Sequence, residues 1–210
     1  MKRPLAWLLA AAFAGRSLAA QARGLAFSET MSGVAYQDGE YRNASVSLRV
    51  TVADIDAWSQ NLDVPATVTG TLTMDRLPVQ PVTGTLVILG PGPGGDGRLL
   101  TYRFAGTSLQ FTGIKHVEDA AGTEVFDDMT TLHGVFQPRG APPPTVYDLL
   151  YGAAWTTELH FAWWDPAVVW NFAASFTTIA TPWYQVLEVE ALFVRTMFGA
   201  LAQTLFPWLV

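Results

Sequence analysis

The chain contains no cysteine, which excludes disulfides, thiolate zinc sites, iron–sulfur clusters and cysteine nucleophiles. Charge is scarce: 14% of the 210 residues are Asp, Glu, Lys or Arg, against ~25% in ordinary soluble domains. The 12 Lys and Arg form no cluster and the net charge is −6. Nucleic acid is therefore not an expected partner, because phosphate neutralisation needs an electropositive face. No G-x-S-x-G stands in the sequence, so the serine-hydrolase class has little support. Only three histidines occur, His116, His133 and His160, and none has another three or four residues away. No metal site and no cofactor are expected.

One glycine-rich stretch, Gly90 to Gly97, follows a strand-like run as a phosphate loop would. Pro91 and Pro93 remove backbone N–H donors, and no helical pattern follows to add a dipole. It reads as a hairpin connection.

Hydrophobic residues make up half of the chain, so a core is easy to build and polar covering is hard to supply. Lys2 and Arg3, the apolar run Leu5 to Gly15 and Ala20-Gln21-Ala22 have the order of a signal peptide. Eleven residues would rise only ~16 Å as a helix, too short for a ~30 Å hydrocarbon core. An amphipathic amino-terminal helix is the alternative. Export to the periplasm or beyond the cell is the expectation.

From Leu25 to Gln137 short alternating runs are separated by turn residues. Ser45 to Val52 places Val46, Leu48, Val50 and Val52 on one face. Further strands are expected over Leu25–Gly33, Ala66–Met74, Thr83–Leu89, Leu99–Ala105, Leu109–Val117 and Asp128–Phe136, with Asp54 capping a short helical turn. No crossover helix separates them, so an antiparallel β-barrel or sandwich of eight to ten strands is expected.

Composition shifts after Pro142-Pro143-Pro144. Six of the eight tryptophans (Trp155, Trp163, Trp164, Trp170, Trp183, Trp208) lie from residue 155 onward. Strands are expected over Thr157–Trp163 and Asn171–Ile179, and a helical turn at Asp165-Pro166. A carboxyl-terminal helix follows, capped by Thr181 with Pro182 at its first position and running to about Phe206. Glu188, Glu190 and Arg195 make spanning a bilayer costly for that helix, at ~2.5–3.5 kcal/mol each at membrane depth. Packing on the β domain is ranked first, lying in the membrane interface second. The expected organisation is a signal peptide over 1–22, a β domain over 24–138, a Pro-rich connection over 139–146, and closing strands with the apolar helix over 147–210 in the same domain.

Four stretches together resemble a domain found beside the flavin domain of cholesterol-oxidase-like members of the glucose–methanol–choline oxidoreductases. They are Phe27-Ser28-Glu29-Thr30-Met31-Ser32-Gly33, Val50 to Ala57, Gly113-Ile114-Lys115-His116-Val117-Glu118-Asp119 and Asp127-Asp128-Met129-Thr130-Thr131-Leu132. The flavin chemistry of that family belongs to the other domain, whose glycine fingerprint is missing here. The resemblance thus implies an accessory, sterol- or lipid-associated module without oxidase activity, and a flavin oxidoreductase as a conceivable partner.

Lys115-His116 and Asp127-Asp128 are expected on neighbouring strands, where a lysine opposite a carboxylate is an ordinary cross-strand pair. A sharper reading sets Glu29, Tyr102, Lys115, His116, Asp128 and Thr130 at a pocket mouth, orienting a ligand hydroxyl. Trp183, Phe193, Phe198, Phe206 and Trp208 are the candidates for membrane or partner contact. The expected function is non-catalytic binding of an apolar, sterol- or lipid-like molecule or of a lipid surface. Two alternatives are a small isomerase or cyclase using Lys115, Asp128 or His116, and a protein-binding subunit of an oxidoreductase system.

Overall fold

The computed structural model describes residues 22–92, 97–117, 129–142 and 154–205. The expected signal peptide, but for its last residue, and Asp127, Asp128, Phe206 and Trp208 lie outside the described residues.

Alternation with a period of two drives the architecture, because it gives each strand one apolar face to bury. Strands β1 (Gly24–Gln37), β2 (Glu40–Val52), β3 (Ala66–Met74), β4 (Gln80–Pro91), β5 (Arg98–Ala105), β6 (Leu109–Val117), β7 (Thr131–Pro138) and β8 (Trp155–His160) follow one another as neighbours. Strand β8 pairs with β1, and β1 pairs with β2, so the sheet closes on itself. Every pairing is antiparallel. The protein is an eight-stranded antiparallel β-barrel with a carboxyl-terminal helix, as the alternation implied.

The first hairpin turns on Asp38 and Gly39, both at positive φ (49° and 86°) between paired Gln37 and Glu40. This is the two-residue geometry that Asp-Gly favours, and it carries β1 and β2 well past the expected ends. Closure needs tight bending, which glycine supplies. A Cβ at Gly84 would run into the backbone of Arg103 and Phe104, and at Gly70 into that of Ser47 and Leu48. Gly113 and Gly134 are paired, and the Phe111 ring occupies the space both leave. An extra residue bulges β4 between Val87 and Gly90, with buried Leu89 at φ 58°.

Met31, Val46, Leu48, Leu72, Leu86, Tyr102, Phe111, Phe136 and Leu159 are all buried within the barrel. At one end lie the Asp38-Gly39 turn and the connections from β3 to β4 and from β5 to β6. The other, where β1 begins and β2 ends, is capped by helices. Helix α1 (Ile55–Gln60) starts at Asp54, whose carboxylate accepts the Ala57 N–H at 2.9 Å as expected of an N-cap. Helix α2 (Pro166–Ala174) is capped by Asp165 and has proline in its first turn. A 3-10 turn (Trp183–Gln185) leads into α3 (Val186–Leu205). Val189 and Phe193 of α3 are buried, and Phe193 stacks on Trp58 of α1 and touches Phe27 of β1. Arg23 ties the cap together by ion pairs to Asp56 (2.7 Å) and Glu188 (2.9 Å).

Three expectations about the elements are corrected. Asn171–Ile179 is not one strand: its first four residues finish α2, and only β9 (Thr177–Ile179) pairs with β1. Asp165-Pro166 is a strong helix start, so the apolar run that follows continues as helix. Thr181 does not cap α3, because its hydroxyl donates to the Ile179 carbonyl at 2.9 Å and the 3-10 turn intervenes. Met129 and Thr130 are helical, so β7 begins at Thr131.

Candidate functional site

Alternation along β1, β5 and β6 turns Glu29, Tyr102 and Lys115 into the barrel. Glu29 is 7% exposed and Lys115 3%. The Lys115 ammonium donates to Glu29 Oε2 at 3.3 Å, across 86 residues of sequence, and stands 5.3 Å from the centre of the Tyr102 ring. Two charges taken from water into an apolar barrel cost several kcal/mol each, and their attraction offsets that only in good geometry. Here it is offset incompletely. Glu29 Oε1 has no hydrogen-bond partner among the described residues. Burial pushes the Tyr102 hydroxyl well above its ordinary range, and the charge of the neighbouring Glu29 carboxylate pushes it further. The interior thus holds the Tyr102 phenol in its neutral form.

The expected site is thus brought together in part. Glu29, Tyr102 and Lys115 converge. The carboxylate that meets Lys115 belongs to β1, and strand pairing between β6 and β7 ends at Ile114 and His133, short of Lys115. Asp128 lies outside the described residues. His116 follows Lys115 in the strand, so its side chain turns to the outer face and leaves the interior cluster. Thr130 sits in the helical turn before β7, its carbonyl accepting the Phe161 N–H at 2.8 Å.

A second polar group lies on the outer wall and was not anticipated. Glu158 of β8 stands 2.9 Å from His160 Nε2 and 3.7 Å from His133 Nδ1, while His160 Nδ1 meets the Thr131 hydroxyl at 3.2 Å. Pairing of His133 with Glu158 and of Thr131 with His160 in the β7–β8 ladder creates it. Only the Glu-x-His spacing of Glu158 and His160 in one strand is visible in the sequence. Among the described residues no group of three His, Cys, Asp or Glu has the arrangement to hold a metal ion. A groove of about 210 Å³ beside the β4 bulge, lined by residues including Asp63, Thr85, Val87 and Arg103, is likewise new.

The capping end carries the other candidates. Phe193 belongs to the core, and its assignment to membrane or partner contact is corrected: it faces Trp58 and Phe27. Trp183 is 86% exposed, Leu187 79% and Phe198 67%. Trp163, Trp164, Trp170 and Tyr184 are exposed too. Helix α2 buries no residue at all, although it carries no charge. Beneath these, Phe161, Phe172, Phe176, Phe27 and Phe193 form a continuous series of ring contacts. Phe206 and Trp208 lie outside the described residues.

Comparison with family models, with curated proteins and with solved structures finds no match. The reading of this site therefore rests on its own chemistry. Among the described residues no helix is long and apolar enough to cross a membrane, so α3 offers a face and not a span.

Proposed function

We propose that this protein is a non-catalytic module that settles on a lipid surface through its helical cap. The observation that carries the reading is the set of large apolar side chains left in water on α2, the 3-10 turn and α3. Helix α3 has two apolar stripes. Val189 and Phe193 are buried, while Leu187, Ala191, Val194 and Phe198, spaced as successive turns of one face, are exposed. Isolated exposed apolar residues are ordinary; a face of them is not.

The chemistry of that face favours lipid. Trp and Tyr join an apolar ring to a polar edge and gain most where hydrocarbon meets headgroup. Charges on the face are few and of mixed sign, with Asp165, Glu188 and Arg195 exposed. Association is thus expected from burial of apolar area, at ~25 cal/mol per Å², with little help from anionic headgroups.

Sedimentation of the full chain with phosphatidylcholine vesicles tests this. Binding should be retained in high salt and reduced at least about tenfold by the combined exposed-face substitutions Trp183→Ser, Leu187→Ser and Phe198→Ser, a loss near 1.4 kcal/mol. A wild-type chain that stays in the supernatant, or that hides this face in a dimer, would overturn the proposal.

A further inference from the structure

The interior pair and the aromatic cap meet at one place. Strand β1 is paired with β8 from Ser32 to Tyr36 and with β9 from Gly24 to Ala26. Phe27 to Met31 therefore have no strand partner on that side, and Glu29 lies at the middle of the gap. The gap is covered by the end of α2 and the residues after it. The Ser28 N–H donates to Ser175 Oγ at 2.8 Å, and Phe172 and Phe176, both only half-buried, contact the ring of Phe27.

We infer that this capped end is a binding site for an uncharged apolar alcohol, whose hydroxyl donates to Glu29 Oε1. Three observations point to that class of ligand. Glu29 Oε1 is an acceptor with no hydrogen-bond partner among the described residues, on a residue 7% exposed, and an unmet buried polar atom costs ~1–3 kcal/mol, more when charged. The Glu29–Lys115 pair is neutral as a unit, so a charged headgroup would arrive without a counter-ion and is disfavoured. The surroundings are apolar, with Phe27, Phe172, Phe176 and Phe193 in mutual contact. Trp58 Nε1, stacked at the same end on Phe193, is a second buried polar atom without a partner, a donor that a ligand oxygen would satisfy.

The inference extends the lipid-surface reading, since such alcohols are membrane constituents, yet the site needs no membrane to be occupied. The test is therefore run on the full chain without vesicles, by calorimetric titration with decanol, decyl methyl ether and decanoate. Decanol should bind saturably at one site. The ether, which has no hydrogen to donate to Oε1, should bind at least about tenfold more weakly, and so should decanoate. All three titrations use the native chain, so no variant has to fold. The double variant Glu29→Leu/Lys115→Met removes the acceptor while keeping an apolar, uncharged interior, and it should lose the preference for decanol over the ether. Absence of saturable decanol binding, ether binding equal to decanol, or a preference that survives in a folded double variant each overturns the site. Vesicle binding by the native chain is scored separately, and its loss would sink the surface proposal alone.

Discussion

Glu29 and Lys115 show how a single residue pair is held at odds with its surroundings. Each is intolerable alone inside the barrel, and together they leave one carboxylate oxygen unmet. Tyr102 shares that environment and gives it a signature in pH. Its folded-state hydroxyl is raised above the ordinary value of 10.0. The unfolded chain therefore loses this proton first as pH rises, so the contribution is constant below pH ~10 and declines above it. Tyr102→Phe should flatten the alkaline limb of the stability curve, measured by urea unfolding from pH 8 to 11. An unchanged limb would show that Tyr102 is not held neutral by the interior.

Elements in this protein differ in what fixes them. Strands bounded by turn residues on both sides, such as β3 and β6, have the bounds that their alternation implies, because a period of two is legible wherever one face is buried. The Asp38-Gly39 turn is equally legible in the sequence, and it, rather than Gly33, marks the end of β1, four residues beyond the expected one. Residues 171–174 misled because an apolar run has no period that separates strand from helix; the cap at Asp165 decided the matter. Bending the strands depends on glycines packed against neighbouring backbone. Gly84→Ala places a Cβ against the carbonyl of Arg103, with no flexible side chain to give way. The expected cost is ~3 kcal/mol or more, at the upper end for one substitution, read as a lowered urea midpoint. A loss below about 0.5 kcal/mol would mean that β4 can shift to make room.

At the scale of the whole molecule, closure is the decisive event. It joins Ser32–Tyr36 of β1 to Thr156–His160 of β8, so the two edges meet only after nearly the whole β region has been made. Without β8, β1 and β7 would each present unpaired N–H and C=O groups, a template for aggregation. A chain ended after residue 154 is expected to lose its cooperative thermal transition by circular dichroism and to elute as aggregate. A monomer with an intact transition would show that the barrel does not depend on β8. Closure also sets the polarity of the molecule, with hairpin turns at one end and helices α1, α2 and α3 at the other.

The sequence by itself determined most of the barrel strands, their antiparallel order and the apolar character of the carboxyl end, because these follow from local periodicity, turn chemistry and composition. Only the tertiary structure decided that Glu29 is the partner of Lys115, that Phe193 is core while Leu187 is bare, and that Glu158 lies between two histidines. The physical reason is that which strand meets which, and which face of a two-sided apolar helix is covered, are set by closure of the barrel, and such contacts span 86 residues between Glu29 and Lys115 and 147 between Ser28 and Ser175 without leaving a periodic trace.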